Sequence, residues 1–393
     1  VINSSGTDAN LLTGSKANVI AGDITSQGTG SQPSTPAYTS VDNNLLTVTI
    51  NADQALTVTG AVVFESVVGD DAVTANDNYA ATATLNVTGT AAVKLGDLNT
   101  GDDEVDALVV NHTGTGALTV GLNAANIDAA DAITINGSAT ATDTLVITGS
   151  VNLSNDTLVS VDALVLNTFD VTTDANAAIN SAVTLTQAQF DAIGASHFTA
   201  SDTSAPFGTA TINIVGLGNA PFNATGLNTG VVIGTVTTQA GVVTLDPTTN
   251  LTGVTQIVVP EGSTLNLTAT QFQQLAGNGS IVGLDVNGDS TIGAYTVNIT
   301  GLTQANIAND LNGDGDSADA GELLDLSGIV GATKTLSLAE NVNLAADTNL
   351  GTLAELEVLL AANQTLGLAT SAQATGLNVT GGANSTLVSQ FGS

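Results

Sequence analysis

Apolar and polar residues alternate in short bursts along most of the chain. LLTVTI (45–50), ALTVTG (55–60), ATLNVTG (83–89), ALVVNHTG (107–114), ALTVGL (117–122), AITING (132–137), TLVITG (144–149) and ALVLNT (163–168) share one design. Each sets Val, Ile, Leu and Thr in period two and ends on Gly, Asn or Asp. That composition with that punctuation predicts short strands closed by turns. Their even return predicts a sandwich, a barrel or a solenoid.

The second half carries a longer unit. AVTLTQAQFDAIG (182–194), TLNLTATQFQQLAG (264–277), TVNITGLTQANIANDL (296–311), TLSLAENVNLAAD (335–347) and TLGLATSAQATGL (365–377) each open with an alternating strand. A stretch suited to a short helix follows. Leu185, Ile214, Leu245, Leu267, Ile299, Leu338 and Leu368 recur at spacings of 29, 31, 22, 32, 39 and 30 residues, a loose period that suits stacked coils. Helices of one or two turns are marginal alone and must pack on neighbouring coils. The exception is TLAELEVLLAANQTL (352–366), where Leu353, Leu356, Leu359 and Leu360 fall at helical spacing and predict a surface helix. The expected fold is mainly β: stacked short strands, β-solenoid or sandwich-like, with short helices in the C-terminal half. The expected domains are an N-terminal arm and linker (1–40), an all-β strand-repeat domain (41–180) and a strand/short-helix repeat domain with a calcium loop (181–393). Within the arm, the apolar pairs Leu11–Leu12 and Val19–Ile20 suit an extended segment that pairs elsewhere.

Composition narrows the function. The 393 residues hold 36 acids and three bases, Lys16, Lys94 and Lys334, for a formal net charge of −33. Nucleic acid and anionic membrane need basic partners, so neither is expected here. Hydrophobic residues make up 42% and aromatics only 3%, with no Trp, so the chain folds around thin aliphatic layers. Most of the acids are Asp, a turn former and calcium ligand, which favours Asp-rich turns; a halophilic surface is the alternative. There is no Cys, hence no disulfide framework and no thiol chemistry. No apolar run reaches the roughly 18–20 residues of a membrane span. The chain begins at Val1 rather than Met, as expected of a processed chain or a piece of a longer one.

The sharpest chemical signal is DLNGDGDSADAGELLDL (310–326). A calcium loop places oxygen ligands at alternate positions and a Gly where the backbone bends. Asp310, Asn312 and Asp314 hold the first three ligand positions of the EF-hand pattern and Gly315 the bend. The closing glutamate comes one place late, at Glu322, so the loop resembles a variant that also draws on Asp316 and Asp319. DVNGDSTIG (285–293) repeats the opening with Asp285, Asn287 and Asp289. Calcium is the expected cofactor, with a solvated acidic turn as the alternative at each place. Further acidic clusters fall at Asp70, Asp71 and Asp77, at Asp97, Asp102, Asp103, Glu104 and Asp106, and at Asp128 and Asp131.

Catalysis finds little support. The histidines are His112 and His197, with no nucleophile elbow and no HExxH motif. No catalytic residue is assigned and no enzyme is expected. Sequons at Asn86, Asn111, Asn136, Asn266 and Asn298, among others, are about as frequent as this composition yields by chance.

The TLxLTxxQxxxL unit, the Thr/Val strands, the Asp-rich turns, the lack of Cys and the scarcity of Lys resemble bacterial S-layer proteins and repetitive RTX-like secreted proteins. The resemblance is compositional; the RTX nonapeptide does not occur in tandem, and GTDANLLTGSKANVIAGD (6–23) is a faint echo of it. It implies export to the cell surface, calcium-dependent folding and assembly into a lattice or filament. The expected function is a self-assembling, homo-oligomeric structural subunit of an extracellular layer or filament, with a cell-surface glycan as anchor. The alternative is a calcium-dependent adhesin module binding glycans or proteins, with a surface enzyme third.

Overall fold

The computed structural model describes residues 2–4, 18–20, 22–27, 45–65, 81–100, 105–127, 132–168, 178–202, 208–275, 280–284, 293–307, 324–345 and 348–389. The fold is mainly β, with parallel sheets and a few short helices. The chain divides into two compact units, one built chiefly from residues 1–185 and one chiefly from residues 232–393.

In the N-terminal unit the chain alternates between two parallel sheets. The first runs Ile2–Ser4, Leu45–Ala52, Ala81–Gly89, Val105–His112, Ala132–Asn136 and Thr157–Val159. The second runs Asn18–Ile20, Leu56–Val58, Val93–Asn99, Leu118–Asn123, Asp143–Thr148, Ala163–Leu166 and Phe198–Ala200. Ile24–Gln27 pairs with Val62–Glu65, which joins the second sheet at Val93–Asn99. One strand in each sheet makes a circuit, and the next circuit pairs on it in parallel. Leu85, Val110 and Ile135 lie in one register row, buried, with Leu56, Val93 and Leu118 in another. Period-two sequence becomes period-two burial because alternate side chains of a strand face opposite ways. The pieces of the expected arm at 2–4, 18–20 and 24–27 are strands of the chain's own sheets, each paired with the following circuit.

Identical polar residues also stack. Asn136 Nδ2 donates to Asn111 Oδ1 at 3.0 Å and Asn111 Nδ2 to Asn86 Oδ1 at 3.0 Å, each step 25 residues along the chain. Parallel in-register pairing brings like onto like, and an amide can donate on one side while accepting on the other. Three of the sequons are therefore rungs of a hydrogen-bonded ladder.

The C-terminal unit repeats the plan. One sheet runs Val242–Thr244, Thr264–Thr268, Tyr295–Leu302, Ala332–Leu338, Leu356–Leu360 and Asn378–Gly381. Gln256–Pro260 lies between Val231–Thr238 and Ser280–Leu284 in another, and Val342–Asn343, Thr365–Leu368 and Thr386–Ser389 form a third. The Thr-x-x-Gln signature of the repeat turns the corner. Thr268 accepts from Gln271 N while the Gln271 side chain accepts from Thr268 N, a capping box that starts helix Ala269–Gln273. Thr370 and Gln373 do the same for Ser371–Ala374. Each glutamine then reaches back to the preceding circuit: Gln271 Nε2 to Asp246 O at 2.7 Å, Gln373 Nε2 to Ala345 O at 2.8 Å. These ties hold helices too short to persist alone.

The expected surface helix at 352–366 is corrected. Leu353–Glu355 form a single 3-10 turn, Leu356–Leu360 a strand, and Thr365–Leu368 the next strand. Leu356, Val358 and Leu360 are buried, and the strand is paired on both sides, with Ala332–Leu338 and Asn378–Gly381. Leucines at 353, 356, 359 and 360 fit helical spacing, but Leu356, Val358 and Leu360 fit period two equally, and two ready-made parallel partners decide between them.

Candidate functional site

The expected calcium ligands Asp310, Asn312, Asp314, Asp316, Asp319 and Glu322, and Asp285, Asn287 and Asp289, lie outside the described residues. Their chain neighbours Ile307 and Leu324 are fully buried. Of the other acidic clusters, Asp97 is described with its side chain: Asp97 Oδ2 accepts from Asn123 Nδ2 at 2.9 Å. Among the described residues no group of three or more His, Asp or Glu could hold a metal ion, and no helix is long and apolar enough to cross a membrane.

Two buried polar clusters escaped the sequence reading. His112 ends Val105–His112, and its Nδ1 lies 2.6 Å from Asp143 Oδ1, at the start of Asp143–Thr148. Both side chains are 3% exposed. Asp143 Oδ2 accepts from Ser138 N, and Ser138 Oγ donates to Gly114 O at 2.7 Å. Burial pushes the Asp143 carboxyl up from its ordinary pKa, while the Ser138 amide and the His112 ring pull it down. Ser, His and Asp are thus brought together, but the pair is shut away from solvent and ties one circuit to the next.

The second cluster centres on Lys334, 2% exposed. Its Nζ donates to Glu355 Oε2 at 2.8 Å and to Ile329 O at 3.2 Å. Nearby, Tyr295 Oη shares its one proton between Ile281 O and Val330 O. Burial, reinforced by the Glu355 charge, pushes the Tyr295 phenol up to about 12. A lysine in an alternating strand (ATKTLSL) at a core-facing position is the signal that could have found this cluster.

One accessible feature is a groove of about 680 Å³ on the outer face of the six-stranded C-terminal sheet. Thr244, Asn266, Asn298, Thr335 and Glu357 stand in one register row across five strands. Thr268 beside Thr300, and Ser337 beside Leu359, add a second row. Pro247 and Leu359 supply apolar surface, while Leu245 and Leu267 turn into the core beneath. A bulge at Ile299–Leu302 shifts the register, with Gly301 at φ +76°, a conformation glycine adopts without strain. Asn298 Nδ2 donates to Asn266 Oδ1 at 2.7 Å and Asn266 Nδ2 to Thr244 Oγ1 at 2.9 Å. Glu357 Oε1 accepts from Thr380 Oγ1 at 2.6 Å. The hydroxyls of Thr335 and Ser337 make no hydrogen bond among the described residues.

No family model, no curated protein and no solved structure matches this chain. The geometry alone therefore carries the functional reading. The His112–Asp143 pair is closed to solvent and the Lys334 ammonium is buried beneath Glu355, whereas the groove presents hydroxyls, amides and one carboxylate to solvent, with no basic group in its lining.

Proposed function

We propose that the chain is a β-solenoid serving as a structural, self-assembling subunit of an extracellular surface layer or filament, stabilised by calcium. The observation that carries the reading is the register of the ladders. Successive circuits pair in parallel, some rows setting like over like as in the Asn86–Asn111–Asn136 stack, and the buried polar clusters join circuits to one another. Such a stack gains stability from neighbour contacts rather than from one large core. The edge strand Thr386–Ser389 supports association: its side chains are exposed, Leu387 by 51% and Val388 by 41%. An edge strand with apolar side chains is a template for another chain.

Calcium enters through the acidic segments at 285–289 and 310–322. Divalent ions there would relieve repulsion in a chain of net charge −33 and stabilise the folded form by mass action. Negative-stain microscopy of the purified protein, with calcium and then with chelator, tests the reading. Ordered polymers that disappear on chelation are expected; monomers in both conditions refute it. The groove favours one second reading, an adhesin module that holds a ligand on the sheet face.

A further inference from the structure

We propose that the groove on the C-terminal sheet binds an extended, uncharged polysaccharide. The inference rests on the adhesin reading and names its ligand. The lining row Thr244, Asn266, Asn298, Thr335 and Glu357 crosses five strands, so its polar groups recur at the inter-strand spacing of about 4.8 Å. A ligand that engages the whole row must present hydroxyls at a similar interval along its length. Chains of linked sugars do so, and compact small molecules do not.

The chemistry of the lining narrows the class further. Hydroxyls, side-chain amides and one carboxylate suit a partner made of hydroxyl groups, and the Thr335 and Ser337 hydroxyls have hydrogen bonds to give. No lysine or arginine lines the groove, and the chain carries −33, so an anionic polymer is repelled. Pro247 and Leu359, the apolar lining residues not buried in the core, provide surface for the C–H faces of the sugar rings. A peptide adding as a β-strand is disfavoured. The groove lies on the face of the sheet, where the strands from Thr264–Thr268 to Leu356–Leu360 are already paired on both sides and, of the lining strands, only Val242–Thr244 is an edge.

Calorimetric titration of the full chain tests the proposal, with cellohexaose, xylohexaose and maltohexaose as probes and glucose and polygalacturonate as controls. At least one hexasaccharide should bind, glucose should bind at least about tenfold more weakly, and polygalacturonate should not bind. Ser337→Trp fills the groove from a half-buried, outward position and should abolish binding. Should that variant fail to fold, Glu357→Gln, which keeps shape and loses charge, should weaken binding about tenfold. Absence of binding by every hexasaccharide overturns the proposal, and leaves the adhesin reading with a protein ligand. Hexasaccharide binding left unchanged in the folded variants overturns the groove assignment alone.

Discussion

Lys334 gives the most discriminating test of the packing. Its ammonium is held by Glu355 Oε2 at 2.8 Å and Ile329 O at 3.2 Å, with the lysine 2% exposed and the Glu355 side chain 39% exposed. Glu355→Ala leaves a buried cation with one carbonyl. Breaking a fully buried pair costs about 3–5 kcal/mol, and the partial exposure of Glu355 reduces this to about 2 kcal/mol. Lys334→Met keeps the aliphatic stem and removes the charge. Glu355 turns to water, and the cost is about 1 kcal/mol for the unpaired Ile329 carbonyl. The double variant should then cost about 1 kcal/mol, less than Glu355→Ala alone, because no cation is left stranded. Urea unfolding followed by circular dichroism, comparing midpoints at unchanged slope, measures all three. A double variant that loses the sum of the two single losses would refute the reasoning, since it would show that the charges do not interact.

Further outcomes follow from other features. Asn111→Ala removes two hydrogen bonds of 3.0 Å, to Asn86 and from Asn136, from a half-buried position; a loss of about 1–2 kcal/mol is expected by the same unfolding assay, and no loss would mean that water replaces the ladder fully. Burial raises the carboxyls of Asp143 and Asp156, so the folded state binds their protons more readily than the unfolded state does. Stability from these groups is therefore gained as pH falls through the raised values towards the ordinary carboxylate range, and lost as pH rises through that window. Thermal melts from neutral to mildly acidic pH should show an increase in Tm that Asp143→Asn diminishes; a steady fall in Tm over that range would contradict the assignment.

The strands were legible because Thr, Val, Ile and Leu alternate at a period that only a half-buried strand satisfies; Leu45–Ala52 and Asp143–Thr148 fall where the pattern puts them. Their parallel pairing was not legible, because register joins residues a whole circuit apart. The stretch 352–366 was misread for the same reason: its leucines fit two periods, and only the neighbouring strands choose. The Thr-x-x-Gln corners were visible as a repeat, but their meaning, a capping box with a glutamine tied to the previous circuit, appears only in three dimensions. The groove was hidden because none of its residue types is unusual alone. Thr244, Asn266, Asn298, Thr335 and Glu357 become a site through their shared register row.

That register has a consequence for how such a chain can change in length. Between Asn86 and Asn136 the ladder advances one rung for every 25 residues. Gain or loss of one such segment adds or removes a rung of about 4.8 Å and leaves the inside and outside of every strand unchanged. A single residue inserted within a strand instead turns Leu85 or Val110 towards solvent. Length is therefore quantised: the stack tolerates whole steps and leaves odd residues to the turns, as a ruler is lengthened by whole divisions.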